Sequence, residues 1–302
     1  MEQKIAILGL LFACFVWAIT GVTFKIFTEL GVSIAVILFA GIFFRFITVW
    51  FIADYKKVKH EWVKDKRELK FVILNGLFSL GTPVFFILAI SHTTLSNAYF
   101  IAFTAPAWVL VGAVFFLGEK LTTKKILGLF LTMLGIFFIS NPEKIFSIDA
   151  GIGFAFLAAL SFSGDIITGR ELKDYSYHTV ALYSNAVQLL SLAIAIPFFF
   201  SIPSLDFNIF TLWPLAVLGL FRGVSSDIYY YALERLEAST VAIVSLAELF
   251  FGSILAYFIF SEIPMQNEFV GYILIFVSGL IIILRKSDIE DFEYLLHLRR
   301  KH

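Results

Sequence analysis

Residues 5–27 read IAILGLLFACFVWAITGVTFKIF, and Lys25 is the only charge among them. A hydrocarbon core is crossed by about 20 consecutive, mainly apolar residues in helix, so this stretch is long enough to span a bilayer. It lacks the strict alternation of a barrel strand. Leu11-Phe12-Ala13-Cys14 loosely resembles a lipoprotein processing site, but the apolar run continues past it through Trp17 to Phe24. A processed leader would turn polar there, so the first helix is expected to stay in the protein.

Runs of similar character recur at 34–53, 70–90, 95–117, 125–140, 150–169, 177–200, 210–233, 238–260 and 268–285. The expectation is an all-α integral membrane protein of ten transmembrane helices. The fifth is short, and turn signals such as Asn141-Pro142, Ile202-Pro203 and Ile263-Pro264 separate the runs. Composition agrees: of 302 residues 60% are apolar, 37 are phenylalanine and only 15% are charged. A soluble domain is about a quarter charged and could not hide this much apolar surface. Formal charge is zero and no basic, aromatic-interleaved patch occurs, so nucleic acid is not an expected partner. Cys14 is the only cysteine, which excludes an intrachain disulfide and a thiolate cluster; no cofactor or metal is expected.

Positive charge sets the orientation. With the N-terminus in the cytoplasm, nineteen of the 23 Lys and Arg fall on the cytoplasmic side. They include Lys56, Lys57, Lys59, Lys64, Lys66, Arg67 and Lys70 around the polar loop 54–69, and Arg285, Lys286, Arg299, Arg300 and Lys301 at the end. Lys144 alone falls outside; Lys25, Arg45 and Arg222 lie within spans. Both termini are therefore expected in the cytoplasm of a cell whose inner or plasma membrane holds the chain. The tail, 287–302, puts Phe292, Leu295, Leu296 and Arg299 near one helical face, suited to the inner surface.

A shift of 143 residues places Gly76-Leu77-Phe78 on Gly219-Leu220-Phe221, Ala89 on Ala232, Ser96 on Ser239, Glu119 on Glu262 and Gly128 on Gly271. The first helices align at about 145, pairing Ala13 with Ala158, Thr23 with Thr168 and Lys25 with Arg170. The common register indicates a duplication: a first five-helix repeat over 1–141, a second over 142–286, and a tail. Five is odd, so the second repeat enters the membrane from the opposite side. Inverted repeats are the construction that lets a carrier alternate its access.

The motifs carry a resemblance as well. Thr104-Ala105-Pro106-Ala107-Trp108 is followed by Leu117-Gly118-Glu119-Lys120-Leu121, then Gly128 and Gly135; the second half has Leu246-Ala247-Glu248, Ser261-Glu262, Gly271 and Gly279. With Trp17 and Arg45 these resemble the drug/metabolite transporter superfamily, in particular its EamA-like members, over residues 5–286. The second half departs in Leu249, where "EP" is common, and in Ser261, where glycine is. The resemblance implies movement of metabolites, often export of amino acids or related compounds.

Ionisable groups at membrane depth are costly and therefore functional candidates. Arg45, Arg222 and Glu248 fall near mid-span, with Gln188 at the repeat position of Arg45; Asp165 and Asp227 lie in the cytoplasmic half. The expectation is that Arg222 meets a substrate carboxylate and Glu248 an ammonium or a proton. Their repeat partners are Ser79 and Ala105, so the fold needs no charge there. Arg45 is expected to be chiefly structural; Asp165 and Asp227 are ion-pair or proton sites. Trp17, Tyr99 and Trp108 are the preferred pocket aromatics. Gly76, Gly81-Thr82-Pro83 and Gly223 are expected to break or bend the third and eighth spans. The five histidines, 60, 92, 178, 297 and 302, are placed in loops or tails, which argues against an intramembrane enzyme, as does the missing HExxH. A channel would show a filter loop or a ring of like charge. A membrane assembly protein without transport is the remaining alternative.

Overall fold

The computed structural model describes residues 2–56, 65–93, 95–139, 150–199, 209–261 and 265–283. They form twelve helices: α1 (Glu2–Glu29), α2 (Ile34–Tyr55), α3 (Lys66–His92), α4 (Leu95–Ala102), α5 (Ala105–Leu117), α6 (Thr123–Ile139), α7 (Ala150–Glu171), α8 (Tyr177–Phe199), α9 (Ile209–Arg235), α10 (Ala238–Ser245), α11 (Ala247–Phe260) and α12 (Gln266–Ile283). No strand occurs among the described residues. Helix is what the solvent demands, because lipid offers nothing to an unpaired backbone N–H or C=O. The tail, Lys144, Glu262, the three turn signals and residues 57–64 of the 54–69 loop lie outside the described residues.

Among the described residues seven stretches are long and apolar enough to cross a membrane: Glu2–Glu29, Ile34–Tyr55, Lys66–His92, Ala98–Leu117, Ala150–Glu171, Tyr177–Pro197 and Ala238–Phe260. The three other expected spans fall short by that measure. α6 has 17 residues, Gln266–Ile282 is counted among the shorter apolar helices, and α9 carries Arg222, Asp227, Glu234 and Arg235.

Two stretches are interrupted: one at Phe103-Thr104, between α4 and α5, and one at Leu246, between α10 and α11. These are related by the 143-residue shift. Pro106 follows the first break and removes a helical donor; Leu249 stands at the equivalent place, so the second break forms without proline. The expected breaks at Gly76, Gly81-Thr82-Pro83 and Gly223 do not occur, since α3 and α9 run through them. Gly76 and Gly223 are instead contact points. A Cβ on Gly76 would lie 2.6 Å from Val187 Cβ, and one on Gly223 2.3 Å from Thr48 Cβ. Pro83 leaves the Ser79 carbonyl without its helical donor, and Gln188 Nε2 supplies one at 3.0 Å.

The packing repeats as the sequence does. α3 lies on α7 and α8, α9 on α1 and α2; α5 lies on α7, α11 on α1; α2 meets α8 and α6 meets α12. Exchanging the halves maps this set onto itself. The match reaches single contacts: Gly219 abuts Phe44 as Gly76 abuts Val187, and both pairs are related by 143. α5 and α11 end alike, on left-handed residues at equivalent positions, Gly118 at φ 65° and Ser261 at φ 57°. Ser261 takes up that conformation despite its Cβ.

Among the described residues the core is continuous only at one end. Leu10, Val49, Val72, Val109, Ile166, Val180, Leu233 and Val241, from α1, α2, α3, α5, α7, α8, α9 and α10, belong to a single buried cluster. Toward the other end it divides into separate patches, among them Phe27, Ile37 and Leu215, and Ala89, Ala98 and Ala155. The bundle is closed at the end where α1 begins and divided at the other.

Candidate functional site

The α2–α9 seam is a close approach near mid-span. Beside Gly219 and Gly223 the backbone of α2 comes near enough that an added Cβ would lie 3.2 Å from Arg45 N and 2.9 Å from Arg45 O. Arg45 and Arg222 therefore flank one seam, and their charges act on one another. Arg45 is only 8% exposed, and its Nε has no hydrogen-bond partner. Among the described residues neither guanidinium closes an ion pair.

Glu248 is half-buried in the first turn of α11, directly after the break at Leu246. There the unpaired N–H groups of a helix start favour a carboxylate. Its charge and that of Arg222 act on one another, but no ion pair joins them among the described residues. The repeat position, Ala105, opens α5 and offers the same helix start without an acid. Near it, Trp108 is 39% exposed, its Nε1 donates to Thr104 Oγ1 at 3.2 Å and its ring meets Phe156 edge-on. Tyr99 is 37% exposed and stacks on Phe103. Trp17 packs edge-on against Tyr229, 5.4 Å between centroids, beside the closed core.

Asp165 belongs to the closed end. Its carboxylate accepts from Asn75 Nδ2 at 2.9 Å and Tyr229 Oη at 3.0 Å. Asn75 also donates to the Asp165 carbonyl at 2.8 Å and accepts from Tyr230 Oη at 2.7 Å. This network joins α3 of the first half to α7 and α9 of the second. Asn75, fully buried, was not singled out from the sequence. Asp227 pairs with His178, Oδ1 to Nδ1 2.6 Å, and both are buried. His178 therefore does not sit in a loop; α8 begins at Tyr177, and its first turn carries His178 against α9. Tyr231 turns away from Tyr229 and Tyr230 to lie under the Arg235 guanidinium, 3.8 Å from the ring centroid. Lys25 lies over the Phe260 ring at 4.1 Å.

Glu119 ties the halves together at the closed end. Gly118 turns the chain so that the Glu119 carboxylate reaches the start of α10. It accepts from Ala238 N at 2.5 Å, Ser239 Oγ at 2.6 Å and Lys125 Nζ at 2.9 Å. Lys125 also meets Glu237 at 3.0 Å. Ala238 opens α10, where N–H groups lack helical acceptors, and the neighbouring Glu237 side chain makes no capping bond. Glu119 thus caps a helix of the other half. Burial works to raise its pKa, but the bonds from Ser239, Lys125 and Ala238 outweigh it and hold the carboxyl below its ordinary 4.5.

The fold, the twofold packing and the polar mid-span groups define a multi-pass membrane protein of the carrier type. The sequence profile of the EamA-like transporter family matches residues 4–141 and again 149–284, so the chain belongs to that family and holds two copies of its domain. The S-adenosylmethionine uptake transporter of Rickettsia bellii (strain RML369-C) is 28% identical over 218 residues, covering 70% of this chain and 71% of that one. An uncharacterized transporter, YoaV, of Bacillus subtilis (strain 168) is 24% identical over 261 residues, covering 81% and 86%. A solved crystal structure superposes with a TM-score of 0.75 at 14% identity, covering 94% of this chain and 98% of that one; it supports the fold alone.

Proposed function

We propose that the chain is a secondary transporter, not an enzyme, that moves a small zwitterionic metabolite across the plasma membrane by alternating access. The substrate is an amino acid or related compound, with its carboxylate toward Arg222 and its ammonium toward Glu248. Ten spans arranged as two inverted repeats, with both termini cytoplasmic, complete the reading. The end closed by Glu119 and the Asp165 network is then the cytoplasmic one, and the divided end opens outward. Export is the net direction proposed.

One observation carries this reading. Arg222 and Glu248 act on one another at mid-span, and no ion pair joins them among the described residues, so both are left open to a third party. A zwitterion satisfies both at once, and alternating access puts its site at that depth. Trp108, Tyr99 and Trp17 supply aromatic surface for the rest of the molecule. The relative named for S-adenosylmethionine uptake is consistent, because that compound carries an α-amino-acid head. Arg222→Gln weakens transport of carboxylated substrates and Glu248→Gln that of amines, while both proteins fold. Parent rates in both purified variants would overturn the assignment.

A further inference from the structure

The α2–α9 seam has a counterpart, and the two differ in chemistry. Shifting Arg45 and Arg222 by 143 residues leads to Gln188 and Ser79, across the matching α8–α3 contact. There Gln188 Nε2 donates directly to the Ser79 carbonyl at 3.0 Å. The fold therefore closes this contact with neutral groups and one direct hydrogen bond, although Gln188 Oε1 is itself buried without a partner. On the α2–α9 side the same register holds two arginines, which flank the close backbone contact at Gly219 and Gly223 and whose charges act on one another.

Two like charges at membrane depth repel, and removing both from water is costly. The surroundings offset them only in part, through carboxylates that pair with neither among the described residues. The titratable groups facing Arg45 are Arg222, Asp165 and the neutral phenol of Tyr230. The Asp165 carboxylate is committed to Asn75 and Tyr229, and Tyr230 donates to Asn75. Arg222 faces Glu248 without pairing. Arg45 Nε is buried without any partner. A guanidinium fork suits an oxyanion, which it grips through two parallel N–H donors.

We propose that Arg45 and Arg222 form one two-pronged oxyanion site, one prong from each half, which takes a carboxylate or other oxyanion with at least two acceptor oxygens. Arg45 is then a binding residue. This rests on the reading above for which oxyanion is carried, but not for the existence of the site. It gives the substrate's acidic group two cationic contacts and makes its loading a step that draws α2 and α9, and with them the two halves, onto one ligand.

The test uses the purified full chain in neutral detergent, with acetate and inorganic phosphate as probes against chloride at equal ionic strength. The readouts are thermal unfolding and phenylglyoxal modification of individual arginines. In the parent, acetate or phosphate raises Tm saturably and protects Arg45 and Arg222 together. Arg45→Gln and Arg222→Gln each lower the apparent probe affinity about tenfold or more. Arg45→Lys, which keeps the charge and loses the fork, falls in between and serves if Arg45→Gln does not fold. The proposal is overturned if neither probe exceeds chloride, or if Arg45→Gln or Arg45→Lys keeps the parent's response while Arg222→Gln loses it. Loss of probe binding in both variants, with zwitterion transport at the parent rate, upholds the oxyanion site and removes the transport reading.

Discussion

Replacing Glu119 by Gln tests what holds the closed end shut. The side chain is 8% exposed and bonds to three donors, two of which lie on the other half. A net hydrogen bond to a charged group contributes about 1.5–3 kcal/mol. Gln keeps one acceptor oxygen and loses the charge, and Lys125 retains Glu237 at 3.0 Å. The loss is therefore set near the upper value for one such bond, about 3 kcal/mol. An open state in which α5 and α10 part has already lost these bonds, so the cost falls on the closed state alone. At 1.4 kcal/mol per factor of ten, the open population rises roughly a hundredfold. Ala242 is fully buried in the closed core, so Ala242→Cys in a Cys14→Ala background reports opening by its rate of maleimide labelling. That rate should rise about a hundredfold with Glu119→Gln. Acid should act in the same direction. The carboxyl is held below its ordinary 4.5, so its contribution is complete above that value and is lost as the pH falls through the lower closed-state value. Glu119→Gln should abolish this acid response. Parent labelling rates in both Glu119→Gln and Glu119→Ala would refute the reasoning.

Ser261→Gly should raise Tm, because a residue with φ 57° gives up about 1 kcal/mol of strain; an unchanged or lower Tm would count against it. Gly223→Leu should lower Tm and disturb the arginine site, since its Cβ would lie 2.3 Å from Thr48 Cβ and overpacking costs about 1–3 kcal/mol. Gly41→Ala, with nothing within 4 Å, is the matched control and should be silent. In a Cys14-free background, cysteines in the 54–69 loop and at the C-terminus should react only with reagents that reach the cytoplasm, and cysteines at 203–208 only from outside. Labelling of the two termini from opposite sides would sink the ten-span topology.

The apolar runs were legible because lipid forces every backbone group in them into helix. The duplication was legible too, as a shift that reappears in the Gly76–Val187 and Gly219–Phe44 contacts. The breaks were not. Glycine reads equally as a hinge or as a place where two helices touch, and at Gly76 and Gly223 contact won. The break at Leu246 has no proline to announce it. His178 was misplaced because its partner Asp227 lies 49 residues on, and only the fold brings them together. Glu119 stood out in its motif, but its donors Ala238 and Ser239 are in the other half. Arg45 reads as structural from the family resemblance, and the sequence does not show that Asp165, a carboxylate acting on it, is held by Asn75 and Tyr229.

The most direct test of the transport reading is counterflow in liposomes holding the purified chain, preloaded with unlabelled L-amino acids and given a labelled one outside. The account predicts saturable, transient accumulation of label that falls when the carboxylate is amidated, and that is lost in the Arg222→Gln, Glu248→Gln double variant. Uptake no greater than in protein-free liposomes, or equal uptake by the double variant, would contradict it.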